Sequence, residues 1–233
     1  MPSATYVTRR GQLEDYFDRT AVDAWSRLTS DAPVGRIRAT VRAGRDRMRA
    51  TLLSWLPADL AGMRLLDAGC GTGALAVEAA GRGASVVAID LSPTLIDLAR
   101  ERAPCELGGG TIEFRVGDML DVALGRFDYV VAMDSLIHYG EADVVRTLGG
   151  LGARTERAML FTFAPKTVPL ATMHAVGRLF PRGDRAPAIE PVSETALRNA
   201  VGAERDLVPW RPARTERIAS GFYTSQALEL VRA

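Results

Sequence analysis

The stretch LLDAGCGTGALAVEAA, residues 65–80, joins a buried-strand signal to a helix through a turn holding Gly69, Gly71 and Gly73. MRLLD (63–67) is a short apolar run that stops at the turn, and ALAVEAAGRG (74–83) is helical in composition and ends on glycines. Glycines at such a turn let the backbone approach a ligand closely and set helix N-terminal N–H groups beside it. Outward from the turn the same rhythm repeats. SVVAID (85–90) reads as a second buried strand, and SPTLIDLARER (92–102) as a helix with Ser92 at the N-cap and Pro93 at its first position. TIEFRV (111–116), FDYVVAM (127–133) and AMLFTF (158–163) read as further strands, with a helix near 141–153. Strands alternating with helices predict an α/β fold, a parallel sheet covered on both faces.

The flanks leave this rhythm. In residues 1–60, Ile37, Val41, Met48, Leu52 and Leu56 recur at helical spacing among Arg36, Arg38, Arg42, Arg45, Arg47 and Arg49, so a helical N-terminal arm is expected. Residues 164–200 carry five prolines and a short helix signal, VPLATMHAVGRLF. Residues 204–231 read as two strands joined through Ser220-Gly221.

Composition excludes several function classes. With 29 basic and 28 acidic residues the chain is near neutral, so nucleic acid is not an expected partner. Two Cys and two His at scattered positions supply neither a zinc cage nor a disulfide framework; no metal site is expected. Lys166 is the sole lysine, so Schiff-base chemistry would rest on it alone. No apolar run approaches the ~20 residues of a membrane span, and a cytoplasmic protein is expected.

Gly69 to Ala74 also satisfies the dinucleotide pattern G-x-G-x-x-G/A, so the glycines do not choose a ligand. Asp67 does. A carboxylate at the end of the first strand repels a pyrophosphate and favours a cationic nucleoside such as S-adenosylmethionine (SAM), with S-adenosylhomocysteine (SAH) as its product. Asp90, followed by Leu91, ends the second strand 23 positions later and is placed to accept hydrogen bonds from a ribose diol. Gly117-Asp118-Met119 follows the third strand and offers a carboxylate and an N–H to an adenine edge; Met133-Asp134 follows the fourth and closes the cleft. Either of Asp67 and Asp90 alone reads equally well as a turn residue. All four features at strand C-terminal ends, where open α/β sheets bind ligands, point to a site.

LLDAGCGTG, VVAIDLS, VGDML and FDYVVAMDSLIHY together resemble the motif series of class I SAM-dependent methyltransferases over residues 63–140. That resemblance implies a Rossmann-like, seven-stranded, mostly parallel sheet with a reversed C-terminal hairpin. No Asn/Asp-Pro-Pro-aromatic motif follows the fourth strand, and no Pro-Cys motif accompanies Cys105, so base methylation is not indicated and a small-molecule acceptor remains. EDYFDRTAVDAWSRLTSD (14–31), the Arg-rich helix, SLIHY (135–139), FTFAPKT (161–167) and ARTERIASGFYTSQ (213–226) are similar to the magnesium-protoporphyrin IX O-methyltransferase family of bacteriochlorophyll biosynthesis. The resemblance implies methyl transfer to a propionate of the magnesium porphyrin, with Tyr16 and His138 at positions important for transfer. It also implies hand-over from the porphyrin-binding subunit of magnesium chelatase and a place beside the photosynthetic membrane.

Without the family match, His138 reads as a core histidine just after a strand and Tyr16 as a core aromatic beside Phe17. His174 reads first as an exposed helical histidine and second as an axial ligand for the porphyrin magnesium. The 1–60 arm is expected to cap a 61–233 methyltransferase domain, with Lys166 and 164–200 forming either a lid over the acceptor or a surface crossover. The basic helix either touches a membrane or partner, or packs its apolar stripe on the domain. The alternative functions are a methyltransferase of the same fold acting on another small acid or phenol, and a SAM-binding module without catalysis.

Overall fold

A computed structural model describes residues 3–20, 29, 35–166 and 188–233. Seven strands form one sheet: β1 (Arg64–Ala68), β2 (Ser85–Asp90), β3 (Thr111–Val116), β4 (Phe127–Ala132), β5 (Thr155–Phe163), β6 (Trp210–Ser220) and β7 (Tyr223–Arg232). Their order is β3-β2-β1-β4-β5-β7-β6. β1 to β5 run parallel, and β7 inserts antiparallel between β5 and β6. The order in which the chain adds strands thus reverses at β1, with β2 and β3 laid on one side and β4 and β5 on the other. That reversal opens a crevice at the strands' C-terminal ends.

Helices α1 (Ala4–Asp15), α2 (Arg36–Ser54), α3 (Ala74–Gly81), α4 (Pro93–Arg102), α5 (Glu141–Gly152) and α6 (Glu194–Ala203) surround it. Alternation along the strands sends side chains to opposite faces. Leu65, Val86 and Val131 pack with Met48 and Leu52 of α2 and Ala76 and Ala79 of α3. Leu66, Val87 and Val130 pack on the other face with Leu148 of α5, Leu197 of α6 and Leu13 of α1. α4 starts as its sequence requires: Ser92 Oγ accepts from the Leu95 N–H at 3.2 Å, with Pro93 at the first position.

The first strand begins and ends one residue later than its apolar run suggested. β5 is longer, because the polar Thr155-Glu156-Arg157 extends it beyond the apolar residues that signalled it. Residues 194–203, which begin inside the 164–200 span read as a lid and run past its end, form α6 and bury Leu197 and Val201. The helix signal at 168–180 and His174 lie outside the described residues. Lys166 is exposed, and its N–H donates to the Val192 carbonyl at 3.0 Å. Among the described residues, no helix is long and apolar enough to cross a membrane.

Candidate active site

A cavity of about 680 Å³ opens at the C-terminal ends of β1, β2 and β4. Asp67, Gly69, Gly71, Asp90, Leu91, Gly117, Met119, Met133, Asp134, Tyr16 and His138 all line it. Gly73 and Asp118 do not.

The Gly69 and Cys70 N–H groups both donate to the Ile89 carbonyl, at 2.8 and 3.0 Å, which bends the chain over the end of β2. Gly69 has φ +83°, and a Cβ there would collide with the side chain of Ser135. Glycine is therefore required on both conformational and steric grounds. Gly73 sits behind the bend as the N-cap of α3.

Asp67 is 2% exposed, and its Oδ2 has no hydrogen-bond partner. Burial and the neighbouring Asp90 push its carboxyl up to about 7, and the Ala76 N–H of α3 offsets part of this. A buried carboxylate oxygen without a donor, beside a second carboxylate, suits a ligand that brings both positive charge and N–H groups. The amino-acid ammonium of SAM has both. Asp90 is held from two sides. Its Oδ2 accepts from the Gly71 N–H at 2.9 Å and its Oδ1 from the Ser92 N–H at 3.1 Å. Burial raises its pKa and these N–H groups pull it down. The second lone pair of each oxygen remains to receive a diol.

Asp118, expected beside an adenine edge, has its carboxylate engaged by the arm and by its own turn. Its Oδ1 accepts from the Tyr6 hydroxyl at 2.7 Å and the Leu120 N–H at 2.9 Å, and its Oδ2 pairs with Arg10 at 2.9 Å. The carboxylate anchors α1, because the arm brings a cation and a hydroxyl to it. Tyr6 also stacks on Tyr139 with ring centroids 4.9 Å apart.

Asp134 is more than a cleft-closing residue. It has φ +54°, a left-handed conformation that Asp tolerates better than most residues. Four side chains converge on its carboxylate: Arg45 at 2.7 Å, Ser225 at 3.0 Å, Thr162 at 3.1 Å, and Tyr223 at 3.1 and 3.2 Å. Arg45 belongs to a stripe on α2 with Arg38, Arg42 and Arg49, all facing the cavity. Their spacing, four, three and four residues, was visible in the sequence. The link to Asp134 was not.

Tyr16 opens a π-helical turn, Tyr16–Thr20, that follows α1. Burial raises its hydroxyl pKa, so it stays protonated at neutral pH. Phe17 touches both predicted catalytic residues edge-on, with ring centroids 5.1 Å from Tyr16 and 6.0 Å from His138. Asp18 secures the turn by accepting from the Thr94 hydroxyl at 2.7 Å, at the start of α4. His138 lies in a short 3-10 turn, Leu136–His138, with Nδ1 3.4 Å from the Ala188 carbonyl. The structure thus brings Tyr16, His138 and the cofactor-end carboxylates to one chamber. Ser135 adds a buried Oγ without a partner on its wall, which sequence reading missed.

Residues 132–232 match the family described as magnesium-protoporphyrin IX methyltransferase C-terminus, and residues 65–153 match a methyltransferase domain. The magnesium-protoporphyrin O-methyltransferase of Rhodobacter capsulatus is 52% identical, over 98% of this chain and 99% of its own length. Its counterpart from Synechocystis is 31% identical over 94% and 95%. The crystal structure of magnesium protoporphyrin IX methyltransferase from Synechocystis PCC 6803 with bound SAH superposes with a TM-score of 0.84 at 30% identity, covering 96% of this chain and all of that one. The Asp67 end of the cavity, the strand order and these full-length likenesses agree, and the chain belongs to the magnesium-protoporphyrin O-methyltransferase family of SAM-dependent methyltransferases.

Proposed function

We propose that the chain transfers the methyl group of SAM to a propionate carboxylate of magnesium protoporphyrin IX, giving the monomethyl ester. One observation carries this reading: a single cavity holds Asp67 and Asp90 at one end and the arginine stripe of α2 along its wall. The full-length likeness to a relative named for this activity supports it.

Bound SAM supplies a methyl group on a sulfonium and departs as the neutral thioether SAH. The protein's own residues do the rest. Asp67 holds the ammonium and Asp90 the ribose diol. A propionate has a pKa of about 4 to 5 and is already ionised, so no general base is required. Tyr16 and His138 orient the reacting carboxylate by hydrogen bonding one oxygen and leaving the other in line, at roughly 3 Å. A guanidinium clamped on that carboxylate would lower its nucleophilicity. Arg45 is paired with Asp134, and Arg49 with Asp46 and Glu78. Arg38 has no carboxylate partner among the described residues and takes the other propionate.

On this reading the described part of 1–60 acts as a cap on the 61–233 domain and 188–193 belong to the lid; 167–187 lie outside the described residues, and 194–200 belong to the core helix α6. The described part of that lid supports this. Ile189 lines the cavity, the Ala188 carbonyl faces His138, and the Glu190 N–H donates to the Ile137 carbonyl at 2.9 Å. Exposed Arg36, Arg38 and Arg47 on α2 support receipt of the macrocycle from the porphyrin-binding subunit of magnesium chelatase or from an anionic membrane surface.

Titration with magnesium protoporphyrin, followed by labelled SAM, tests the proposal. A saturable change in porphyrin absorbance and fluorescence and one labelled methyl ester are expected. No spectral change at micromolar porphyrin overturns the porphyrin reading. His138→Ala is expected to lower turnover about 100-fold while SAM affinity holds.

A further inference from the structure

Among the described residues, Phe222 is the one aromatic side chain left exposed, at 57%. It also lines the cavity. A lone exposed ring is ordinary on a protein surface. This one is presented by a tip that is fixed on both sides. Ser220 pairs with Tyr223, so Gly221 and Phe222 are a two-residue loop. Gly221 has φ +57° and lies so close to α2 that a Cβ would collide with the Thr40 side chain. Before it, the Ala219 carbonyl accepts from Arg47 of α2 at 2.9 Å. After it, the Tyr223 ring abuts Gly44 of α2 and its hydroxyl reaches Asp134. The neighbours of Phe222 are therefore pinned to α2 and to the cavity floor, while its own ring projects at the rim. Thr224 and Ser225 continue down the cavity wall from it, and Ser225 also bonds Asp134.

We propose that Phe222 is an acceptor-specificity residue, whose ring packs against the flat face of the porphyrin while the propionate points inward along β7. This rests on the porphyrin reading above. Offset stacking of a side-chain ring on a large π-system adds attraction to the burial of both apolar surfaces. The fixed tip limits the entropy lost in making the contact. Phe222 touches neither the reacting carboxylate nor SAM in this arrangement, so it governs acceptor affinity and leaves the transfer step alone.

The test uses the full chain with Phe222→Ala and Phe222→Trp. Magnesium protoporphyrin binding is read by fluorescence, SAM binding by calorimetry, and turnover by labelled SAM. Phe222→Ala is expected to raise the porphyrin Kd and KM about tenfold, with kcat and SAM affinity unchanged. Phe222→Trp is expected to restore binding to within about twofold. An unchanged porphyrin Kd in the alanine variant overturns the proposal, as does a tryptophan variant as impaired as alanine. Wild-type protein that binds the porphyrin but forms no ester refutes the function instead, and the binding comparison still judges Phe222.

Discussion

The two ends of the cavity are built by different means. At the cofactor end, the two carboxylates come from one continuous stretch, 65–92, and much of its geometry is backbone: the N–H groups of Gly69, Cys70, Gly71 and Ser92 set the loops around Asp67 and Asp90. The acceptor end is assembled from side chains far apart in sequence. Arg45 meets Asp134 across 89 positions, and the β6–β7 tip is braced by α2. On the proposed reading, a cofactor common to many enzymes is met by a local, backbone-defined cradle, while the acceptor meets a wall that only the complete fold brings together.

That contrast can be broken most sharply at Asp90. Asp90→Ala removes the proposed diol acceptor and the anchor of the Gly71 and Ser92 N–H groups together. SAM Kd is expected to rise about 100-fold or more by calorimetry, since each charge-assisted hydrogen bond contributes about 1.5–3 kcal/mol. An unchanged Kd would place the ribose elsewhere and dissolve the distinction between the two ends.

A smaller effect sharpens the electrostatics. The free Asp67 carboxyl sits at about 7, and an ammonium beside it lowers that value. If Asp67 holds the ammonium as proposed, binding is expected to release a proton below pH 7, and SAM affinity to fall as the pH drops. The slope approaches about tenfold per pH unit well below the free pKa. Asp67→Asn is expected to bind weakly and lose this slope between pH 6 and 8. A variant with the wild-type slope would show that another group controls it.

The smallest effect lies at the arm. Tyr6→Phe loses the hydrogen bond to Asp118, while the Leu120 N–H and Arg10 still serve that carboxylate. The expected cost is about 1 kcal/mol, read as a melting-temperature drop of about 2–4 °C. SAM Kd is expected to stay within about twofold. A tenfold change in SAM Kd would mean that the arm and the cofactor cradle form one unit.

The same contrast explains what the sequence disclosed. The strand-helix alternation, the glycine bend, the Ser92-Pro93 helix start and the C-terminal hairpin all rest on local spacing, and each is present, with β1 displaced by one residue and the hairpin starting at Trp210 because 205–207 form a 3-10 turn. Insertion of β7 between β5 and β6 depends on long-range pairing, to which no spacing in 204–231 corresponds. Asp118 follows a strand as an adenine contact would, and only the folded arm shows that Arg10 and Tyr6 claim its carboxylate. The α2 arginines were legible as a group, but one helix face turns to the cavity and another to solvent. Choosing between them needed the partner, Asp134. Phe222 gave no signal, since one aromatic next to a turn glycine is common.

The outer strands of the sheet carry a further consequence. β6 ends one side and β3 the other. β6 bears Pro212 and the charged Arg211, Arg214, Glu216 and Arg217, and its pairing slips between Pro212 and Thr215. β3 bears Glu113 and Arg115, which pair with each other at 2.7 Å. A proline withholds a donor, an irregular register spoils a template, and charges resist being laid against a stranger's backbone. Both borders thus offer a poor template for edge-to-edge pairing, and neither outer strand is built to recruit a second copy of the chain.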